Sequence, residues 1–358
     1  MAGRGDPPEG TPEGLPGGGE DEYRSVVFDE SFVRAARLQE FSAQERMGEH
    51  AQAVRSLPAW GRRRGSRQVL LLVLLVAMAF GTAIYLGVRH PYQVPQFKQA
   101  EPLRITMIPL APQGPVPGGT PADLYAHSPA AQFRVGAAGI TLPGVRRTKS
   151  FSEDQVLTAL TTAKDYLVES SLDPDVLTGG AVRPVRLMLD PAQLEQFDRS
   201  ISSPAGDGRH AATGWLVRYD PAKVALADPR VRVQGTLTVA EAGPDALEVT
   251  SDHTFAYALR PVAASGSQAN EASLFTVRRE LHFRFDREDL RQHRVELLVS
   301  YVQAGPQACS ADASGTLRPL LAGQRASADG PAGTDPYATG QATAALCGAL
   351  SPGAQPLP

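Results

Sequence analysis

Across 358 residues, 35 Lys and Arg stand against 38 Asp and Glu, a net charge of −3 that gives no footprint for nucleic acid. With 34 glycines and 30 prolines, the length leaves room for one folded domain plus tails. Arginine outnumbers lysine and alanine is abundant, a bias associated with high-GC bacterial genomes.

Residues 1–22 are rich in Gly, Pro and acidic side chains and cannot bury enough apolar surface to offset the entropy of ordering, so a disordered tail is expected. Residues 23–67 read as a helical segment. Asp29 can cap a first helix that repeats Phe32, Ala35, Leu38 and Phe41, and Ser42 with Glu45 forms a capping box ahead of Met47, Ala51 and Val54. Neither stripe can build a core alone, so the segment is either a docking element for a cytoplasmic or membrane partner or a weakly helical juxtamembrane spacer. Glu40, Glu45 and Glu49 offset Arg34, Arg37 and Arg46, which argues against a basic lipid-binding helix.

Residues 68–88 hold the uncharged run Val69 to Val88, long enough to cross the lipid bilayer. A cleaved signal peptide does not fit, because nearly seventy residues precede the run. Arg62, Arg63, Arg64 and Arg67 lie before it, and only Arg89 and Lys98 follow closely. Positive charge stays inside, so the N-terminus is expected in the cytoplasm and the C-terminal part beyond the plasma membrane. The stretch YRSVVFDESFVRAARLQEFSAQERMGEHAQAVRSLPAW, with the arginines and the span, resembles the N-terminal region of actinobacterial, chiefly streptomycete, single-pass membrane proteins of unknown function. That resemblance covers Tyr23 to Val88 and implies a compartment and lineage without an activity.

Pro and Gly recur through residues 89–150, so an extended extracytoplasmic stalk is expected, with Leu103 to Ile108 its one candidate strand, able to pair with the domain. Residues 151–305 read as a domain. Ser152 can cap a helix bearing Val156, Leu160, Ala163 and Leu167, and Asp190-Pro191 opens a shorter one with Leu194 and Phe197 inward. Strands follow with period-two alternation: Val231, Val233, Leu237 and Val239; Leu247, Val249, Phe255, Tyr257 and Leu259; Phe275, Val277, Leu281, Phe283 and Phe285; Val295, Leu297, Val299 and Tyr301. Helices before antiparallel strands give an α+β class. The order resembles nuclear-transport-factor-2-like and cystatin-like folds, in which a curved antiparallel sheet wraps a long helix; a small open sandwich is the alternative.

Residues 306–358 form a Gly/Ala/Pro-rich tail holding Cys309 and Cys347, expected to pair as a disulfide outside the cell, with two buried thiols the alternative. The seven histidines show no HxH, HExxH or Cys/His spacing, so neither a metal nor a cofactor is expected. The phosphate-binding and GxSxG patterns are missing too, and zinc-dependent anti-sigma factors would need a cytoplasmic His/Cys cluster. One ligand-pocket candidate stands out. His253 falls on an apolar strand face with Val249, Phe255 and Tyr257 while Asp252 points the other way. In a pocket its imidazole could work as a base with an acid as orienter, the alternative being a core or rim histidine bonded to a backbone carbonyl. Trp215 with Tyr219 reads as an adjacent strand, more often core than ligand cage. Arg278, Glu280, His282 and Arg284 alternate on the opposite, solvated face. The leading expectation is a non-enzymatic envelope protein with an outer binding domain and an inner docking segment. The alternatives are a pocket-based enzyme or small-molecule binder, and an accessory subunit of an envelope transporter or secretion system.

Overall fold

A computed structural model describes residues 65–89, 101–262, 271–326, 335–337 and 347–356. The expected disordered tail, the two inner helices and Arg62, Arg63 and Arg64 lie outside these residues. The chain divides into two units, the first ending at Tyr92 and the second starting at Gln93.

Within the first unit, α1 spans Gly65–Arg89, and its stretch Arg67–Tyr85 is apolar enough to cross a membrane, with every side chain exposed. Thr82 donates its hydroxyl to the Met78 carbonyl at 2.7 Å, which satisfies that polar group inside a mostly apolar run.

The second unit is a mixed α+β domain. Its elements are β1 (Arg104–Ala111), α2 (Pro121–Ala126), β2 (Arg134–Val135), α3 (Glu153–Ser171), α4 (Pro174–Leu177), α5 (Arg183–Leu187), α6 (Leu194–Ser202) and α7 (Ala212–Trp215). They are followed by β3 (Val224–Glu241), β4 (Ala246–Pro261), β5 (Ser273–Asp286), α8 (Arg287–Gln292), β6 (Glu296–Gly305) and β7 (Gly348–Ala349). Among the described residues they form one seven-stranded open sheet, in the order β2-β3-β4-β5-β6-β1-β7.

Helix α3 starts where its sequence says it should. The Ser152 hydroxyl accepts from the Gln155 amide while the Gln155 side chain accepts from the Ser152 amide, completing a capping box. Its buried stripe, Val156, Ala159, Leu160, Ala163, Tyr166 and Leu167, packs on β3 and β4 and joins the main core with Phe255, Tyr257, Phe275, Val277, Leu281, Phe283 and Phe285. At Asp190 the side chain accepts from the Ala192 amide, and Phe197 of α6 is buried, as the Asp-Pro signal predicts.

Four expectations need correction. Residues 101–150 are not a stalk: Leu103 and Ile105 enter the main core, while Leu124, Tyr125, Ala130 and Phe133 form a second cluster on the opposite sheet face. Pro and Gly broke up the regular elements there, yet enough apolar residues remained between them to dock on the sheet. Second, the sheet is not wholly antiparallel, because β1 pairs in parallel with both β6 and β7. Third, the β6 alternation fails midway. Phe283 pairs with Leu297 but His282 pairs with Val299, so Leu298 is an extra residue and the facing switches. Ser300, Val302 and Ala304 then point to the helices, and Tyr301 joins a third cluster with Ile108 and Leu110 on the other face.

The fourth correction concerns residues 306–358, whose described parts belong to the domain and are not a free tail. Ala313, Leu317 and Leu321 are in the main core, and Leu350 and Ala354 in the third cluster. Cys309 and Cys347 form a disulfide with Cα atoms 5.6 Å apart, within the usual span. Both outermost strands are only two residues long, and Pro109 withholds a backbone donor from β1, features that blunt sheet edges.

Candidate functional site

Strand register lines up one row of side chains across the helix-facing side: Gly235, His253, Arg279, Val302 and Met107. The neighbouring row is Leu237, Ser251, Leu281, Ser300 and Ile105. A polar seam therefore runs through an otherwise apolar face, and its centre is Arg279.

Arg279 is completely buried. Its Nη1 donates to Ser170 Oγ at 2.8 Å and Ser171 Oγ at 2.7 Å in the last turn of α3, and its Nη2 to the Gly214 and Trp215 carbonyls at 3.1 and 2.9 Å at the end of α7. No carboxylate among the described residues pairs with it, and Nε has no acceptor. Burial pulls the guanidinium below its ordinary pKa, an effect that Tyr166 and Tyr257 oppose. It remains a cation, held by neutral acceptors and by the negative end of a helix. Around it Tyr166 donates to the Trp215 carbonyl at 2.6 Å and Tyr257 to the Ser171 carbonyl at 2.8 Å. Burial raises the pKa of both phenols well above the usual value.

All three pocket candidates lie in this seam. Trp215 is not on a strand; it closes the short helix α7, with Nε1 donating to Ser200 Oγ at 3.0 Å and its ring edge-on to Phe197 at 5.4 Å. Tyr219 is outside the named strands as well, bridging to Leu317 and packing edge-on against Tyr257 and Phe275. His253 is fully buried, its Nδ1 2.8 Å from Ser251 Oγ and its Nε2 without a partner. Desolvation pushes its pKa down to about 4, against the opposing pull of the Asp252 charge. The ring lies against Gly235, where an added Cβ would collide with the imidazole and with the Asp252 carbonyl. Only glycine leaves room there for an imidazole on this row.

Asp252 turns away from His253, as strand alternation predicts. It points to the other face and holds Arg278 by two bonds of 2.8 Å. Arg278 is itself buried, which corrects the expectation of a solvated side chain there. Nearby, Thr254 and Thr276 are covered by contacts to the Pro336 carbonyl and the Tyr337 hydroxyl. The remainder of that face is cross-paired as expected, with His282 3.1 Å from Glu248 and 3.2 Å from Glu280.

The seam encloses a neutral imidazole with no carboxylate partner and a cation already committed to four acceptors, so it has no acid–base pair facing a substrate. Two hollows lie elsewhere. One, of ≈ 340 Å³, is lined by polar residues including Gln193, Glu195, Arg199 and His210; the other, of ≈ 500 Å³, is mostly apolar and lined by residues including Val224, Pro261, Leu317 and Leu320. Neither touches His253, Arg279, Tyr257 or Trp215. Among the described residues no group of three His, Cys, Asp or Glu is placed to hold a metal ion.

Sequence reasoning missed Arg279, though the signal was present. In β5 the inward positions run Phe275, Val277, residue 279, Leu281 and Phe283, so an arginine in the apolar phase marks a buried cation. Comparison with protein-family models, curated proteins and solved structures gave no match to this chain.

Proposed function

We propose that this chain is a non-enzymatic, single-pass protein of a bacterial plasma membrane, with the residues before α1 in the cytoplasm and the α+β domain outside. In this reading the outer domain is a helix-on-sheet module of the nuclear-transport-factor-2-like or cystatin-like kind, and it acts by binding a protein. The segment before the span engages a second partner on the inner side.

The observation that carries the proposal is the filled sheet face. Where such a fold would hold a ligand, Arg279, Tyr166, Tyr257 and Trp215 are interlocked and fully buried. With those side chains spent on one another, the domain's surface is what is left for contacts. The single apolar helix and the arginine-rich flank before it support the topology.

Cross-linking in intact cells, followed by purification in mild detergent, tests the reading. A specific protein recovered in constant ratio, and lost when residues 23–57 or the outer domain are deleted, is the expected result. Recovery of a small molecule bound inside the domain, or of background proteins only, would sink it.

A further inference from the structure

Strand β2 covers only a small part of the edge on which it lies. It pairs with Arg232 and Val233, and from Gln234 to Glu241 strand β3 has β4 on one side and no backbone partner among the described residues on the other. Every second residue of a strand turns its N–H and C=O to the same side, so about four donors and four acceptors are left along this edge. The stretch has none of the devices that keep foreign strands away. Before β2, the same edge breaks register at Asp228 and carries the ion pair of Asp228 with Arg230 at 3.0 Å. After it, pairing with β4 runs without a shift from Arg232 to Glu241, and Gln234 to Ala240 include no charge and no proline. Gln234, Thr236, Thr238 and Ala240 are exposed, while Leu237 is buried on the helix side. The chain that follows β2 passes on the helix side: Gly139 packs on Val233, Ile140, Leu142 and Val145 reach the main core, and none of their backbone groups bonds to β3.

Positive charge stands at both ends of this uncharged stretch. Arg134 is exposed opposite Val233 at one end. At the other, the Ser150 amide donates to Glu241 at 2.5 Å and Arg287 donates to the Ser150 carbonyl at 3.1 Å, which brings in the exposed Arg146, Arg147 and Lys149. These cations outnumber Glu241 and Asp245, and among the described residues none of Arg134, Arg146, Arg147 and Lys149 is ion-paired. The charge pattern selects the occupant. A second copy laid edge to edge sets cation against cation at both ends, whichever way the two strands run. An extended segment with acidic residues on either side of an uncharged core meets both ends favourably.

We propose that Gln234 to Glu241 is the docking edge of the domain, and that its occupant is an extended segment of a protein partner, uncharged in its middle and acidic at its ends, which adds a strand beside β3. Main-chain bonds give the affinity, and the flanking cations choose the segment and guide its approach. The proposal names the surface through which the outer domain binds, and for the existence of a partner in the cell it rests on the protein-binding reading above.

The test uses the full chain in detergent micelles and, as probe, the peptide DETVTVTED, which has a β-branched core, acidic ends and the same sequence in both directions. With the probe, amide hydrogen exchange in fragments covering residues 234–241 is expected to slow by about fivefold or more, with β5 and β6 unchanged. The control DETVPVTED, which lacks the central donor, should give no slowing. Arg146→Glu with Arg147→Glu, in a loop outside the core, should weaken the probe by about tenfold. No slowing at 234–241 with millimolar probe, or equal slowing with the proline control, overturns strand addition. Slowing that appears without probe as the protein is concentrated overturns a foreign segment in favour of a second copy. Cross-linking in cells separates the edge from the reading it rests on, using Thr236→Asp with Thr238→Asp, whose unfolding midpoint is checked against the parent. A partner recovered equally by parent and variant overturns the edge and leaves the reading intact, whereas one lost only from the folded variant supports both. If the parent recovers none, that reading fails and the probe alone decides the edge.

Discussion

Arg279 and His253 face each other across β4 and β5, and both resist a catalytic role for the same reason: neither reaches solvent. Replacing Arg279 removes the donor from four acceptors at once. Arg279→Met is expected to lower the unfolding free energy by about 3 kcal/mol, and Arg279→Lys by less, since an ammonium keeps part of the donor set. Urea unfolding of the solubilised protein measures this, and an unchanged midpoint would mean that the seam is not holding α3 and α7 to the sheet. His253 gives a pH dependence of defined sign. Its folded pKa of about 4 lies below the unfolded value near 6.5, so both states are neutral above about pH 6.5 and the histidine has no effect there. As pH falls from 6.5 to 4, only the unfolded chain takes up the proton, and stability drops by about 3 kcal/mol before levelling off. His253→Phe should remove that slope; a variant as acid-sensitive as the parent would refute it. The position of His253 was legible from strand alternation. Its isolation from Asp252 followed from the same alternation, since adjacent strand residues face opposite ways.

At the scale of elements, local chemistry was readable and long-range pairing was not. Ser152 and Gln155 begin α3 through bonds three residues apart, so the start of the helix is written within one turn of sequence. Ser152→Ala is expected to cost about 1 kcal/mol in thermal or urea unfolding, and a loss below the error of the measurement would show the cap to be incidental. The parallel pairing of β1 with β6 joins residues nearly two hundred positions apart, and no local pattern encodes it. Pro109 and the glycines beyond it read as linker because they punctuate the chain, though apolar residues between them, Leu124, Tyr125, Phe133 and Ile140 among them, are buried. The extra residue Leu298 was equally hidden. Val295, Leu297, Val299 and Tyr301 keep one apolar phase, and the run Leu297-Leu298-Val299 is the only local hint, so pairing with β5 is what shows where the phase changes.

For the whole molecule, composition located the one long apolar helix among the described residues and the α+β order located the domain, but its limits were drawn too narrowly at both ends. Leu103 to Phe133, together with Leu317, Leu321, Tyr337, Leu350 and Ala354, close over a sheet whose four central strands alone would leave one face bare. The disulfide holds part of that closure. Opening a link with a sequence separation of 38 should lower stability by about 3–4 kcal/mol, read as a shift of the unfolding midpoint in Cys347→Ser, and no shift would mean that the closing segment adds nothing. The function proposed for the chain depends above all on which side of the membrane this domain occupies. Epitopes placed before Met1 and after Pro358, probed with antibody on wall-free intact cells, decide that directly. The C-terminal epitope should be labelled without permeabilisation and the N-terminal one only after it; the opposite pattern, or two epitopes both hidden until the membrane is opened, would contradict a single-pass protein with an outer binding domain.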